Sequence, residues 1–407
     1  MVVSPDELEY LCTEMADEEY YALDTEFHTE RTYFPKLALI QLGWRDKVAL
    51  VDPLAVDPGP LSRLLGGPGT MVAHAAEQDI DVLETACGVV ASTVFDTQIA
   101  AGFLGYSTPS LARLVDQVLG FSLPKADQLS DWIHRPIPAR QLAYAADDVA
   151  HLLELRTAIA TQLEAGGRLT WALEECAQVL SVRRRGVVPE ELWWKMGDIR
   201  RLPARSRGVA QEVAAWRERR AVALDRPRRT ILSDLALLAI AQRPPRSRGD
   251  LEKMRGVDGR HLAHGGAAEI LAAVERGFAL APEDVRLPPE GREAQAPAAA
   301  VAVCTGLVRQ IADDLHFDQG LLATRADITN LVCGEPSRLD TGWRSAIAGD
   351  SIRSLLAGDV AAAFRPDGTL VLEPRQAPPA AEHANGGIPP GPGPGPGPAP
   401  GPGPGAS

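Results

Sequence analysis

Leu23-Asp24-Thr25-Glu26-Phe27 decides how this chain is read. Ala22 and Leu23 precede the acids and Phe27 closes them, so the stretch is predicted to be a half-buried strand over 20–27. Alternate side chains of a strand share a face, which puts Asp24 and Glu26 together and turns Thr25 away. Two carboxylates on one face repel each other unless a cation lies between them. An acid-x-acid pattern alone is usually a solvated strand edge, but the apolar flanks argue against that here. Two further acidic segments follow, His74-Ala75-Ala76-Glu77-Gln78-Asp79 and Tyr144-Ala145-Ala146-Asp147-Asp148. Asp24, Glu26, Asp79 and Asp148 together supply hard oxygen donors enough for two divalent cations, and a metal pair of that kind cleaves phosphodiesters. Tyr144 stands four residues before Asp148, so on a helix the two share a face. Asp81 falls nearly opposite Asp79 on a helix and Asp147 lacks the tyrosine spacing; both are read as solvated.

The 407 residues, 45% hydrophobic and 23% charged, suit a soluble chain of two or three domains. No apolar run is long enough to span a bilayer, and the start lacks the basic-then-apolar pattern of an export signal. No membrane partner is expected, and a cytoplasmic location is. The five cysteines form no CxxC and no close pair, which fits reduced thiols better than disulfides or a zinc site. The net charge of −13 is unevenly spread. Residues 1–182 hold 11 Lys and Arg against 27 Asp and Glu, residues 183–260 hold 20 against 10, and residues 261–407 hold 10 against 17. An acidic segment joined to a basic one suggests that one part collects cations and the other a polyanion.

Around the opening strand, Ser4 and Pro5 mark the start of a helix over 5–20. Strands are predicted at 36–44, 48–51 and 71–74, helices at 78–87 and 97–104, and a helical pattern over 111–164. Asp96 is expected to cap the helix beginning at Thr97, and His74 to be a satisfied core histidine. The result is an α/β unit, a mixed sheet flanked by helices, assigned to 1–180. A basic connecting segment, 181–208, contains Arg183-Arg184-Arg185. Helical periodicity dominates 209–279, with breaks at Pro244-Pro245 and Gly265-Gly266. Residues 280–299 read as a linker, and 300–375 as a second small helical unit ending in a hairpin at Pro366-Asp367-Gly368. The Pro/Gly-rich residues 376–407 cannot bury enough apolar surface to fold.

These residues carry a family resemblance. Leu23-Asp24-Thr25-Glu26-Phe27 with Arg31-Thr32-Tyr33-Phe34-Pro35-Lys36-Leu37-Ala38-Leu39-Ile40-Gln41-Leu42 resembles the first exonuclease motif of ribonuclease D. His74–Asp79 with Ile80-Asp81-Val82-Leu83 resembles the second, and Tyr144–Asp148 the third, with Phe95-Asp96-Thr97-Gln98 and Asp131-Trp132-Ile133-His134-Arg135-Pro136 resembling the segments between. The resemblance is to the tyrosine-type branch of the four-carboxylate (DEDDy) exonucleases, which have a ribonuclease H-like fold. Ala214-Ala215-Trp216-Arg217 and Leu238-Ala239-Ile240-Ala241 are similar to the helicase-and-RNase-D C-terminal (HRDC) domain, a helical nucleic-acid-binding module, and 300–375 resembles a degenerate second copy.

The resemblance implies a metal-dependent 3′→5′ exoribonuclease that trims the 3′ ends of tRNA precursors and other structured RNAs to nucleoside 5′-monophosphates, using two Mg²⁺ or Mn²⁺ ions. It implies that Asp24 bridges both metals, that Glu26 and Asp148 bind the one nearer the nucleophile, that Asp79 supports the other, and that Tyr144 orients the attacking water. A free phenol loses its proton near pH 10, so proton removal falls mainly to the metal and the tyrosine's share is positioning. Phe27 and Gln41 are candidates to touch the terminal nucleotide, and Arg217 and Arg220 to grip phosphates. Trp193, Trp194 and Trp216 are expected to pack helices. Carboxylate cages do not tell RNA from DNA, so a 3′→5′ DNA exonuclease remains an alternative, as does a nucleic-acid-binding protein without activity. No GxxxxGK[ST] loop occurs, which excludes a P-loop helicase. Nothing suggests an obligate oligomer, and a monomer is expected.

Overall fold

The computed structural model describes residues 1–123, 131–182, 188–197, 202–287 and 296–375. Arg183, Arg184, Arg185 and the tail 376–407 lie outside them. Helix α1 (Pro5–Met15) opens with a capping box: the Ser4 hydroxyl accepts from the Glu7 N–H while the Glu7 carboxylate accepts from the Ser4 N–H. It stops short of the predicted residue 20, where the chain turns into the sheet. Strands β1 (Tyr20–His28), β2 (Lys36–Trp44), β3 (Lys47–Val51), β4 (Thr70–Ala73) and β5 (Val94–Asp96) form one mixed sheet in the order β3-β2-β1-β4-β5. β2 runs antiparallel to β1 and β3, while β4 and β5 run parallel to β1. The strand that carries Asp24 and Glu26 is therefore central.

The helices of this unit are α2 (Ser62–Leu65), α3 (Glu77–Cys87), α4 (Thr97–Gly102), α5 (Leu111–Leu119), α6 (Ala139–Ala150), α7 (Leu152–Ala165) and α8 (Leu169–Val182). Period-two alternation sorts them between the faces. Leu23 and Met71 point toward α1 and α3, whose Leu8, Met15, Ile80 and Leu83 complete one core. Ala22 and Val72 point the other way and meet Val149, Leu152 and Leu155 of α6 and α7.

A helical unit follows: α9 (Ala204–Leu224), α10 (Arg228–Ile231), α11 (Asp234–Gln242), α12 (Arg248–Glu252), α13 (Gly259–Leu262) and α14 (Gly266–Ala279). Its core gathers Val213, Trp216, Leu237, Ile240 and Ile270. Trp193 and Trp194 are buried in the same core and α9 begins at Ala204, so part of the predicted connecting segment belongs to the helical unit. α9 and α14 touch backbone to backbone: a Cβ at Gly277 would lie 2.5 Å from Val209 Cα. The last unit holds α15 (Ala298–Leu315), α16 (Gln319–Leu322), α17 (Arg325–Val332), α18 (Gly342–Arg344), α19 (Asp350–Ala357) and the hairpin β6 (Val360–Phe364)–β7 (Leu370–Pro374).

Two joints fix these units. Phe103 meets Trp343 at a centroid distance of 5.2 Å and Phe317 at 5.9 Å, and buried Arg344 donates to Glu175 of α8 at 2.5 Å. The last unit thus shares a core with the sheet's helices. At the other joint Asp225, the left-handed residue ending α9, accepts from the N–H groups of Tyr33 and Phe34, both at 3.0 Å. The Tyr33 hydroxyl donates to buried Glu218, which Arg228 also engages at 2.7 Å. Among the described residues, no helix is long and apolar enough to cross a membrane.

Candidate functional site

Three elements bring the acidic residues together. Asp24 and Glu26 lie on one face of β1, Asp79 in the first turn of α3, and Asp148 near the end of α6, one helical turn beyond Tyr144. Burial is the main cause of their altered proton affinities, with repulsion from the other acids next for Asp24 and Glu26. Asp24 is pushed well above the usual carboxylate range by burial, then by Asp79, Asp148 and Glu26. Glu26 is pushed up to about 8 by burial, then by Asp148 and Asp79. Burial raises Asp148 to about 7 against a hydrogen bond from Tyr144, and Asp79 to about 6 against one from Thr25. The Tyr144 phenol is raised by burial and by Asp148. Among the described residues, no arginine or lysine pairs with any of the four acids. A group of like charges held without a protein cation is a donor set suited to hard divalent ions.

Thr25 does turn away from Asp24, yet it is not idle. Its hydroxyl donates to Asp79, so the threonine between two acids of the strand holds a third from the opposite layer. Among the described residues, no three His, Cys, Asp or Glu side chains already stand at ligand spacing around one point. Asp79 is turned onto Thr25 and Asp148 onto Tyr144, which accounts for part of that spread.

The approach of α6 to the sheet depends on Gly43. A Cβ there would lie 3.1 Å from both the Val149 carbonyl and Ala22 Cβ. Glycine thus lets the last turn of α6, with Asp148, settle against β1 and β2. A buried glycine inside an apolar strand was the sequence signal for this contact. The loop 131–138 closes the site from the side: Trp132 is buried against Leu39, Leu50 and Ala145 and lies near Tyr144.

The remaining predicted residues divide. His74 is satisfied as expected, with Nδ1 2.9 Å from Thr97 Oγ1 and Nε2 3.0 Å from the Pro109 carbonyl. Asp96 caps α4 through the N–H groups of Gln98 and Ile99, and also accepts from Ala75 and Ala76 ahead of α3. Asp81 is exposed, on the wall of a cleft between the sheet unit and the helical unit. Phe27 is half-buried and, with Glu26, His28, Arg31, Lys36 and Trp132, lines a cavity of about 590 Å³. Gln41 does not reach a nucleotide: it is fully buried opposite Asp24, with neither amide atom hydrogen-bonded. Arg217 is also buried, donating to the Leu232 carbonyl and Asp234, which removes it as a phosphate contact. Arg220 is held by Glu269 and the His264 carbonyl. The long α9 offered these arginines as an exposed face, but it is the central helix of its unit and both guanidinium groups are engaged within that unit. Exposed cations gather instead around a groove of about 640 Å³ beside Pro244-Pro245, where Arg243, Arg246, Lys253 and Arg255 line the wall.

Known proteins resemble this chain over most of its length. Residues 1–164 match a family described as 3′-5′ exonuclease, and residues 206–274 match the HRDC domain. The chain is 34% identical over 374 residues to Ribonuclease D of Granulibacter bethesdensis, covering 88% of this chain and 93% of that one. It is 31% identical over 369 residues to Ribonuclease D of Escherichia coli, covering 88% and 98%. The crystal structure of Escherichia coli RNase D, described as an exoribonuclease involved in structured RNA processing, superposes with a TM-score of 0.78 over 88% of this chain and 98% of that one.

Proposed function

This chain belongs to the ribonuclease D family and is a 3′→5′ exoribonuclease, and on that premise we propose that it shortens the 3′ ends of tRNA precursors and other structured RNAs, releasing nucleoside 5′-monophosphates. The observation that carries the reading is the convergence of four carboxylates and one phenol from β1, α3 and α6, with no cation of the described residues among them. Asp24, Glu26, Asp79 and Asp148 would hold two Mg²⁺ or Mn²⁺ ions. When bound, such ions polarise the phosphodiester and lower the proton affinity of water. The chain's own residues do the placing. Asp24 and Glu26 are fixed by the register of β1 against β2. The Thr25 hydroxyl holds Asp79 at the edge of the cage. Tyr144 holds and orients the attacking water by its hydroxyl; its raised proton affinity makes it a donor rather than a base near neutral pH.

Substrate enters beside Phe27, in the cavity that opens at Glu26. Farther along the strand, Arg243, Arg246, Lys253 and Arg255 take backbone phosphates, with affinity that falls as salt rises. We place the protein in the cytoplasm as a monomer.

The test is digestion of a 3′-overhanging single-stranded RNA, and of the same sequence as DNA, with Mg²⁺, Mn²⁺ or EDTA. Stepwise shortening of the RNA from its 3′ end, only with metal, is expected. Equal digestion of DNA would favour a repair exonuclease. Wild-type rates from Asp24→Ala, Glu26→Ala, Asp79→Ala or Asp148→Ala would sink the assignment of the cage.

A further inference from the structure

The segment 131–138 has no chemistry of its own in the reading above, yet Trp132 within it is pinned on both sides, by His28 and by Arg135, itself anchored on Asp52. The Arg135 guanidinium donates to both oxygens of Asp52, each at 2.7 Å, to the Ala38 carbonyl at 2.7 Å and to the Trp132 carbonyl at 2.6 Å. Such a planar fork fixes direction as well as distance. Asp52 is buried, and Arg135 holds its carboxyl below the usual range. On the other side, His28 Nε2 accepts the Trp132 N–H at 3.2 Å. Both peptide groups flanking the Trp132 α-carbon are thereby tied.

The indole they fix is 2% exposed and sits between Leu39 and Leu50 of the sheet and Ala145 of α6. Its ring centroid lies 6.3 Å from that of Tyr144, with the planes 35° apart. The indole N–H is buried with no partner, so the ring is retained there despite an unmet donor. The same ring bounds the cavity that opens at Glu26. Tyr144 is thus held at its ring by Trp132 and at its hydroxyl by Asp148.

We infer that Trp132 and Arg135 are positioning residues for the hydrolysis: the Arg135–Asp52 fork and His28 set the Trp132 main chain, and the Trp132 ring sets the angle at which the Tyr144 hydroxyl meets Asp148 and the nucleophile. The inference rests on the role proposed for Tyr144, and its test keeps the two apart. The full chain is assayed at saturating Mg²⁺ on one single-stranded RNA, as wild type, Tyr144→Phe, Trp132→Phe, Arg135→Lys, and each of the last two combined with Tyr144→Phe.

Arg135→Lys is expected to lower kcat about tenfold and Trp132→Phe about threefold, with KM within about twofold, since small misplacement of a positioned group costs turnover rather than binding. In the Tyr144→Phe background each is expected to change kcat by less than about twofold, because the group it positions is already gone. Full-sized losses in that background, or losses carried by KM, would overturn the inference while leaving Tyr144's role intact. Wild-type kcat from Tyr144→Phe alone would remove the role of Tyr144 and the inference with it. Should Arg135→Lys fail to fold, Asp52→Asn weakens the same fork and is expected to show the same split between kcat and KM.

Discussion

Glu26→Gln is expected to abolish cleavage and, in the same protein, to stabilise the metal-free fold. Burial, then Asp148 and Asp79, push the Glu26 carboxyl from 4.5 up to about 8. Between those values the folded protein keeps a proton that the unfolded chain has released. Stability therefore falls as pH rises through this window and levels off above it. At about 1.4 kcal/mol per pKa unit, the full rise corresponds to roughly 5 kcal/mol. Neighbouring acids protonate in part and the half-buried side chain retains some solvent, so about 2 kcal/mol is expected from the single substitution. For a chain of 407 residues that is a gain of roughly 2–3 °C in Tm. The assay is thermal unfolding in EDTA at about pH 8.5 and about pH 5, the latter near the lower edge of the window. The variant should melt higher at the alkaline pH and nearly with wild type at the acidic one. Excess Mg²⁺ should raise wild type more than the variant, since binding to the folded state stabilises it by mass action. An equal gain at both pH values, or a loss at the alkaline one, would refute the electrostatic account of the cage.

Gly43→Ala places a Cβ 3.1 Å from the Val149 carbonyl and Ala22; it should cost about 1–2 kcal/mol in denaturant melts and slow turnover about tenfold by lifting the end of α6, and wild-type kcat would show that this approach does not set Asp148. Replacing Arg243, Arg246, Lys253 and Arg255 by Gln should weaken RNA binding and flatten its dependence on salt, while kcat on a short single strand holds; an unaltered salt slope would move the phosphate contacts elsewhere. Glu175→Ala leaves Arg344 buried without its carboxylate and should lower stability by about 3 kcal/mol, with a Tm unchanged within about 2 °C arguing against that joint.

Much of the sheet unit was legible because its signals are local. The strands at 36–44 and 48–51, the helix start at Ser4-Pro5, the Asp96 cap and the 366–368 turn follow from period, cap and turn chemistry within a few residues. The spacing of Asp24 to Glu26 and of Tyr144 to Asp148 likewise fixes which pairs share a face, since those intervals belong to a strand and a helix. Identity along the chain could not say which basic side chains stay free. Arg217 reads like any arginine on a charged helix, but α9 is packed by α11 and α14, and its guanidinium is spent on Leu232 and Asp234. Gln41 is different: it has no partner for its amide but is fully covered on β2, inside the sheet.

Strand and helix periods act over a few residues, so the faces on which the acids and the tyrosine stand followed from their spacing alone. Only the tertiary structure decided that Thr25 holds Asp79, that Gly43 admits α6, that Arg135 and His28 clamp Trp132 beside Tyr144, and that 300–375 shares a core with α4 and α8. Each of these joins residues far apart in the chain. A contact of that kind depends on how whole elements settle against one another, and no local period encodes it.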